Sequence, residues 1–85
     1  MGEYSKALEY YEKANKIYET SLPPTHPDLA TAYNNIGGVY YNMGEYSKAL
    51  SYLEKALDIF RMSLPSTHPH IKSVMNNIEE VKKKL

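Results

Sequence analysis

The chain has 85 residues, and its ten basic and ten acidic residues give a formal net charge of zero. Such a short chain forms one small domain, and a neutral balance excludes the strongly basic surface that binds nucleic acids or anionic membranes. The absence of cysteine excludes disulfides and thiolate chemistry and suits a reducing compartment, so we expect a cytoplasmic protein.

The first predicted element is a helix over about residues 2–21. Its apolar residues recur every three or four positions, as on one face of a helix: Ala7, Tyr11, Ala14 and Tyr18. Gly2 would permit N-terminal myristoylation, but the same Met-Gly pair also occurs inside the chain, so we expect no lipid anchor.

The second predicted helix covers about residues 27–42. Pro27 suits the first helical position, where a missing N–H costs nothing, and His26 before it is a predicted N-cap, with Thr25 as a further oxygen near the helix start. Gly44 follows the helix and can adopt the positive φ that often ends one. The apolar face of this helix is Leu29, Ala32, Tyr33, Ile36, Val39, Tyr40 and Met43.

The third and fourth predicted helices cover about residues 45–63 and 69–84. The third has an apolar residue every three or four positions from Tyr46 to Leu64. The segment Leu-Pro-x-Thr-His-Pro interrupts the chain at 22–27 and again at 64–69. We find no strand pattern, and the short loops predict antiparallel neighbours in an all-α fold.

The chain is an internal repeat. The opening string MGEYSKAL returns letter for letter at residues 43–50, and a shift of 42 residues aligns identical residues at 23 positions. A period of this length indicates stacked repeats. We therefore predict one domain over residues 1–85, with copy one at 1–42 and copy two at 43–84.

The residues from Ala32 to Leu57 follow a dense pattern, A-Y-x-N-I-G-x-x-Y-x-x-x-G-x-Y-x-x-A-x-x-x-L-x-x-A-L. This pattern resembles the tetratricopeptide repeat, and the 42-residue unit resembles the variant found in kinesin light chains and nephrocystin-like proteins. The resemblance implies an α-solenoid of antiparallel helix pairs in the order B-A-B-A, with one complete A–B pair at 27–63. It also leads us to expect a piece, natural or engineered, of a longer array.

The resemblance implies a binding function for the A helices, which line a concave peptide-binding groove in this family. An asparagine amide offers both donors and an acceptor to a peptide backbone. The alternative is a purely structural role, in which these asparagines only form hydrogen bonds between helices or with solvent. The groove residues implied by the resemblance are Thr31, Asn34, Asn35, Gly38, Tyr41, Asn42, Ser73, Asn76 and Asn77.

The two ends of the chain differ from plain copies of the repeat. Gly37 becomes Glu79 in the last helix, which would block a further helix there, and three lysines follow at residues 82–84. The sequence contains no evident helix to cover the tyrosines of the first helix. Two repeat units are also fewer than the roughly three that a stable repeat domain usually needs. Self-association as a homodimer, with or without a helix swap, is thus an alternative function, through Tyr4, Tyr11 and Tyr18.

Other chemistry finds little support in the sequence. His26, His68 and His70 suit loop and cap positions better than a metal site, because cysteine and the H-E-x-x-H spacing are absent. The nine tyrosines suit helix packing better than stacking on nucleic-acid bases. We expect no cofactor and no catalysis, and a non-catalytic protein- or peptide-binding module is the leading hypothesis.

Overall fold

A computed structural model describes residues 3–21, 23 and 26–85. Within them it has no strand and four α-helices: α1 Glu3–Ser21, α2 Pro27–Asn42, α3 Tyr46–Ser63 and α4 Pro69–Lys84. The predicted all-α solenoid is confirmed, with helix bounds within one residue of those expected. Gly2, at which we expect no lipid anchor, and Thr25, the predicted further oxygen near the start of the second helix, lie outside the described residues.

Helices α2 and α4 begin in the same way. His26 has extended backbone angles, φ −70° and ψ 133°, and its Nδ1 accepts a hydrogen bond from the Asp28 N–H at 3.1 Å. His68 repeats this cap on α4, where its Nδ1 accepts from the His70 N–H at 3.1 Å. Each cap satisfies one of the N–H groups that a helix start leaves unpaired. The predicted cap at His26 is therefore confirmed.

A three-residue turn joins α2 to α3. Gly44 has φ +83°, the left-handed region that a residue with a Cβ enters only at a cost. The N–H groups of Met43 and Glu45 both donate to the Tyr40 carbonyl, at 3.1 and 2.9 Å. Glu45 itself is not helical, with φ −88° and ψ 71°, so α3 begins one residue later than predicted. The tight turn returns α3 directly onto α2.

Helix α3 lies at the centre of the core. It packs most extensively on α2 and also on α4, whereas α1 packs on α2. Leu53 and Phe60 of α3 are each only 2% exposed. The apolar face of α4 closes the other side of the core with Ile71, Val74, Ile78 and Val81. Helices α2 and α3 each pack on two neighbouring helices, so both bury apolar surface on more than one side.

The crossing of α2 over α3 depends on a residue without a side chain. A Cβ built on Gly37 would lie 3.0 Å from Leu53 Cδ2 and 3.2 Å from the Ala49 carbonyl oxygen. Ala49 is itself fully buried. The close approach of the two backbones therefore depends on the small size of both residues. A Cβ on the adjacent Gly38, by contrast, would meet no atom within 4 Å.

These two glycines give a matched stability test. We expect Gly38→Ala to stabilise the fold by roughly 0.5–1 kcal/mol, because alanine favours a helix and has room there. We expect Gly37→Ala to be less stable than Gly38→Ala by about 1–3 kcal/mol, because its methyl group overpacks the α2–α3 crossing. Urea unfolding of both variants measures the difference. Equal stability would show that the crossing has space to spare.

Candidate functional site

The first candidate site is a cleft between α2 and α4 with a volume of about 240 Å³. Its floor is apolar, with Leu53 of α3 and Val81 of α4. Its rim is polar and aromatic, and four of the predicted groove residues meet there: Gly38, Tyr41, Asn42 and Asn77. Glu80 completes the lining. We call this site the α2–α4 cleft.

Side-chain contacts hold the rim of the α2–α4 cleft in place. The Asn77 amide Nδ2 donates to Asn34 Oδ1 at 3.4 Å, which links the two helices across the cleft. The Tyr41 ring packs edge-on against Tyr46, with centroids 5.5 Å apart. Glu80 forms an exposed ion pair with Lys83 at 3.4 Å. The cleft thus combines an apolar floor with amide groups, and its carboxylate already has a cationic neighbour.

The second candidate site is a cleft of about 350 Å³ between α1 and α2, which we call the α1–α2 cleft. It contains Thr31 and Asn35 from the predicted peptide groove and also Tyr11 and Tyr18 from the predicted self-association surface. The remaining lining residues are Tyr10, Ala14, Asp28 and Ala32. Two sets of residues that the sequence analysis assigned to separate functions therefore share one site.

The other predicted site residues lie elsewhere. Tyr4 is 39% exposed on α1, and Ser73 and Asn76 are exposed on α4. Asn34 is half-buried on α2. None of these four residues lines either cleft. The predicted groove is therefore not one continuous strip. Asn35 and Asn77 occupy the same repeat position, but each lines a different cleft because its helix faces a different neighbour.

A polar contact that the sequence analysis missed joins α1 to α2. The Tyr33 hydroxyl donates to Glu19 Oε1 at 3.0 Å, and the Tyr40 hydroxyl donates to Glu12 Oε1 at 3.4 Å. Asn15, 7% exposed, also donates to Glu19 Oε1, at 2.8 Å. The sequence did contain a sign of this contact. Glu12 and Glu19 are seven residues apart, as are Tyr33 and Tyr40, and this spacing places each pair on one face of its helix.

Tyr52 of α3 extends this contact. Its ring stacks on Tyr40 with centroids 5.5 Å apart, and it lies 6.0 Å from the ring of Tyr33. The Lys55 ammonium lies 5.4 Å from the Tyr52 centroid and 5.7 Å from that of Tyr33. The resulting group of three tyrosines connects α1, α2 and α3 through aromatic, cation–π and hydrogen-bonding contacts.

Burial and the nearby glutamates keep two of these hydroxyls protonated. Burial is the main cause that raises the pKa of Tyr33, and the hydrogen bond to Glu19 raises it further. Burial likewise raises the pKa of Tyr40, followed by the negative charge of Glu12. A protonated hydroxyl is the form that can donate to a carboxylate, so the shifts agree with the observed hydrogen bonds.

The described residues contain no group of three or more His, Asp or Glu side chains placed to hold a metal ion. The rings of His68 and His70 lie 4.6 Å apart, but His68 Nδ1 is used in capping α4. No helix in the described part of the chain is long and apolar enough to cross a membrane. The two clefts offer helix surface, amides and aromatic rings.

Comparison with protein families agrees with this architecture. The family model described as Tetratricopeptide repeat matches residues 1–62, which is most of the chain. The protein therefore belongs to the tetratricopeptide-repeat family, whose members act as protein-interaction repeats. A comparison with curated proteins found no match to this chain.

The raised tyrosine pKa values predict a loss of stability at high pH. Folding raises the pKa of Tyr33 and of Tyr40. The stability that these two groups contribute to the fold is therefore complete below about pH 10 and is lost as the pH rises through the raised pKa. We expect the free energy of unfolding to fall with pH above about 10, and to fall less in a Tyr33→Phe/Tyr40→Phe variant. Urea unfolding at several alkaline pH values tests this. An identical fall in the variant would contradict it.

Proposed function

We propose that this chain is a non-catalytic protein-interaction module whose α2–α4 cleft binds an extended peptide segment of a partner protein. The observation that carries the proposal is the joint presence in one cleft of an apolar floor, a tyrosine ring and the amides of Asn42 and Asn77. Family membership supports the interaction role. The 42-residue kinesin-light-chain-like variant is part of the same proposal, and α2 and α4, which begin and end 42 residues apart, support it. A cytoplasmic location is also part of the proposal, and the absence of cysteine supports it.

The dimensions of the α2–α4 cleft favour a peptide over a small molecule. Its volume of about 240 Å³ lies below the roughly 300–1,000 Å³ that is usual for small-molecule pockets. That space accommodates one or two side chains of an extended chain that continues along the helices. The half-buried Tyr41 ring would contact an apolar side chain above the buried floor of Leu53 and Val81, and the amide groups of Asn42 and Asn77 would pair with the peptide backbone.

The electrostatics of the α2–α4 cleft indicate how it would select its ligand. Glu80 is a charged residue of the lining, and Lys83 partly neutralises it. A nearly neutral cleft gives little long-range attraction to a charged ligand. Binding would then depend on apolar contact and on backbone hydrogen bonds, and it would change little with salt concentration.

The repeat supplies its own control for this proposal. A peptide selected from a display library for binding to the chain should bind Asn77→Ala about three- to tenfold more weakly, the loss of about one hydrogen bond. Asn35→Ala alters the same repeat position outside this cleft and should leave the affinity unchanged. Fluorescence anisotropy with the labelled peptide measures both. If the two variants lose affinity equally, or neither does, the α2–α4 cleft is not the binding site.

A second candidate function is self-association, favoured by the α1–α2 cleft. Tyr10 is 70% exposed and Tyr18 is 37% exposed, and both line that cleft with Tyr11. Exposed aromatic surface of this kind is common at interfaces.

We expect the solution mass, followed by light scattering over a concentration series, to rise toward that of a dimer. Tyr11→Lys should suppress the rise, because a charged group would then enter the contact. Tyr4→Lys introduces the same charge at a predicted self-association residue outside the α1–α2 cleft, so comparing the two variants shows whether the cleft itself forms the contact. A monomer at every concentration would exclude self-association.

A further inference from the structure

The caps of α2 and α4 both depend on a histidine in one charge state. His26 and His68 each accept a backbone N–H through Nδ1, at 3.1 Å in both helices. A neutral imidazole has one ring nitrogen free to accept, whereas both ring nitrogens of a protonated imidazole are donors. Uptake of a proton therefore removes either cap. Because histidine changes charge between about pH 5 and 8, both caps lie in the range of mild acidification.

The two caps have different neighbours. Asp28, two residues after His26, has His70 as its counterpart 42 residues later. Asp28 Oδ2 lies 3.8 Å from His26 Nδ1, near enough to attract a protonated ring. Beside His68 stands the ring of His70 instead, with the two centroids 4.6 Å apart. A proton taken up at the α2 cap thus meets a carboxylate, whereas one taken up at the α4 cap meets a second basic ring.

No acidic group compensates for positive charge at the start of α4. The first turn of α4 contains no Asp or Glu, and the loop at 64–67 has no charged residue. From α3, the uncharged Phe60 faces His70, with ring centroids 5.6 Å apart. Asp58 and Arg61 on either side of Phe60 form no ion pair with these histidines in the described part of the chain. Lys72, the fourth residue of α4, adds a further positive charge. The positive end of the helix dipole also disfavours a cation there.

We propose that His68 and His70 make the start of α4 a pH-sensitive element, capped at about pH 7.5 and loosened at about pH 5.5, while Asp28 protects the matching start of α2. The folded state favours the neutral ring of His68, because only that form accepts the capping hydrogen bond. The stability that the cap contributes is therefore present at neutral pH and is lost as the pH falls. Helix α4 also forms one wall of the α2–α4 cleft. The effect is on the stability of α4 itself, whatever that cleft binds.

Thermal unfolding of the chain at the two pH values, followed by circular dichroism, tests this inference. We expect the melting temperature of the unmodified chain to fall by about 4–8 °C from pH 7.5 to 5.5, the size of effect that loss of one helix cap has in a domain of this length. His68→Asn keeps a capping side chain but removes its titration, so the fall should be less than half as large.

The repeat supplies a matched pair of exchanges at one position. His70→Asp gives α4 the arrangement found in α2, and it should also reduce the fall in melting temperature to less than half. Asp28→His gives α2 the pair of histidines found in α4, and it should make the fall clearly larger than in the unmodified chain. Each variant is compared with itself at the two pH values, so a change in its stability at neutral pH cancels. The helical signal at pH 7.5 confirms that each variant is folded.

Three outcomes would overturn the inference. One is a melting temperature of the unmodified chain that stays constant between the two pH values. Another is an equal fall in the unmodified chain and in His68→Asn, which would place the acid-sensitive group elsewhere. The third is a fall that neither His70→Asp nor Asp28→His alters, which would show that the two caps respond to acid alike and that their neighbours do not distinguish them.

Discussion

The close approach of α2 to α3 at Gly37 is the contact on which the rest of the structure depends. With no side chain between them, the α2 backbone comes near enough to the Ala49 carbonyl that a Cβ would lie only 3.2 Å from it. That distance lets Leu53 and Phe60 of α3 be almost fully buried, and the buried face of α3 in turn receives α4. Leu53, which this crossing buries, is also part of the floor of the α2–α4 cleft.

The α2–α4 and α1–α2 clefts share two repeat positions, Leu53 with Tyr11 and Asn77 with Asn35, in different environments. In the α2–α4 cleft, Asn77 reaches Asn34 on the neighbouring helix, and the floor is apolar. In the α1–α2 cleft, the described structure places tyrosines and Asn35 around a larger space. The ends of the stack differ accordingly, since α4 turns lysine and glutamate outward and α1 turns aromatic rings outward. This asymmetry gives the module a direction that an exact repeat would lack.

The attachment of α1 also differs from that of α4. Apolar side chains such as Phe60, Ile71 and Val74 join α3 to α4, whereas hydrogen bonds from Tyr33 and Tyr40 to α1 glutamates join α1 to α2. A net contribution of about 0.5–1.5 kcal/mol for each hydrogen bond is less than that of a fully buried large apolar side chain. Helix α1 thus adds polar contacts to its packing on α2, and it also lines the α1–α2 cleft.

The sequence by itself determined the features that depend on near neighbours along the chain. The His26 cap and the turn at Gly44 were predictable, because each follows a local rule of backbone geometry and each residue recurs in the sequence with the 42-residue period. The division of the predicted groove into two clefts, which separates Asn35 from Asn77, was decided only by the tertiary structure. So was the pairing of Glu19 with Tyr33. Both depend on how helices distant in sequence are rotated and offset against one another, which no local spacing encodes.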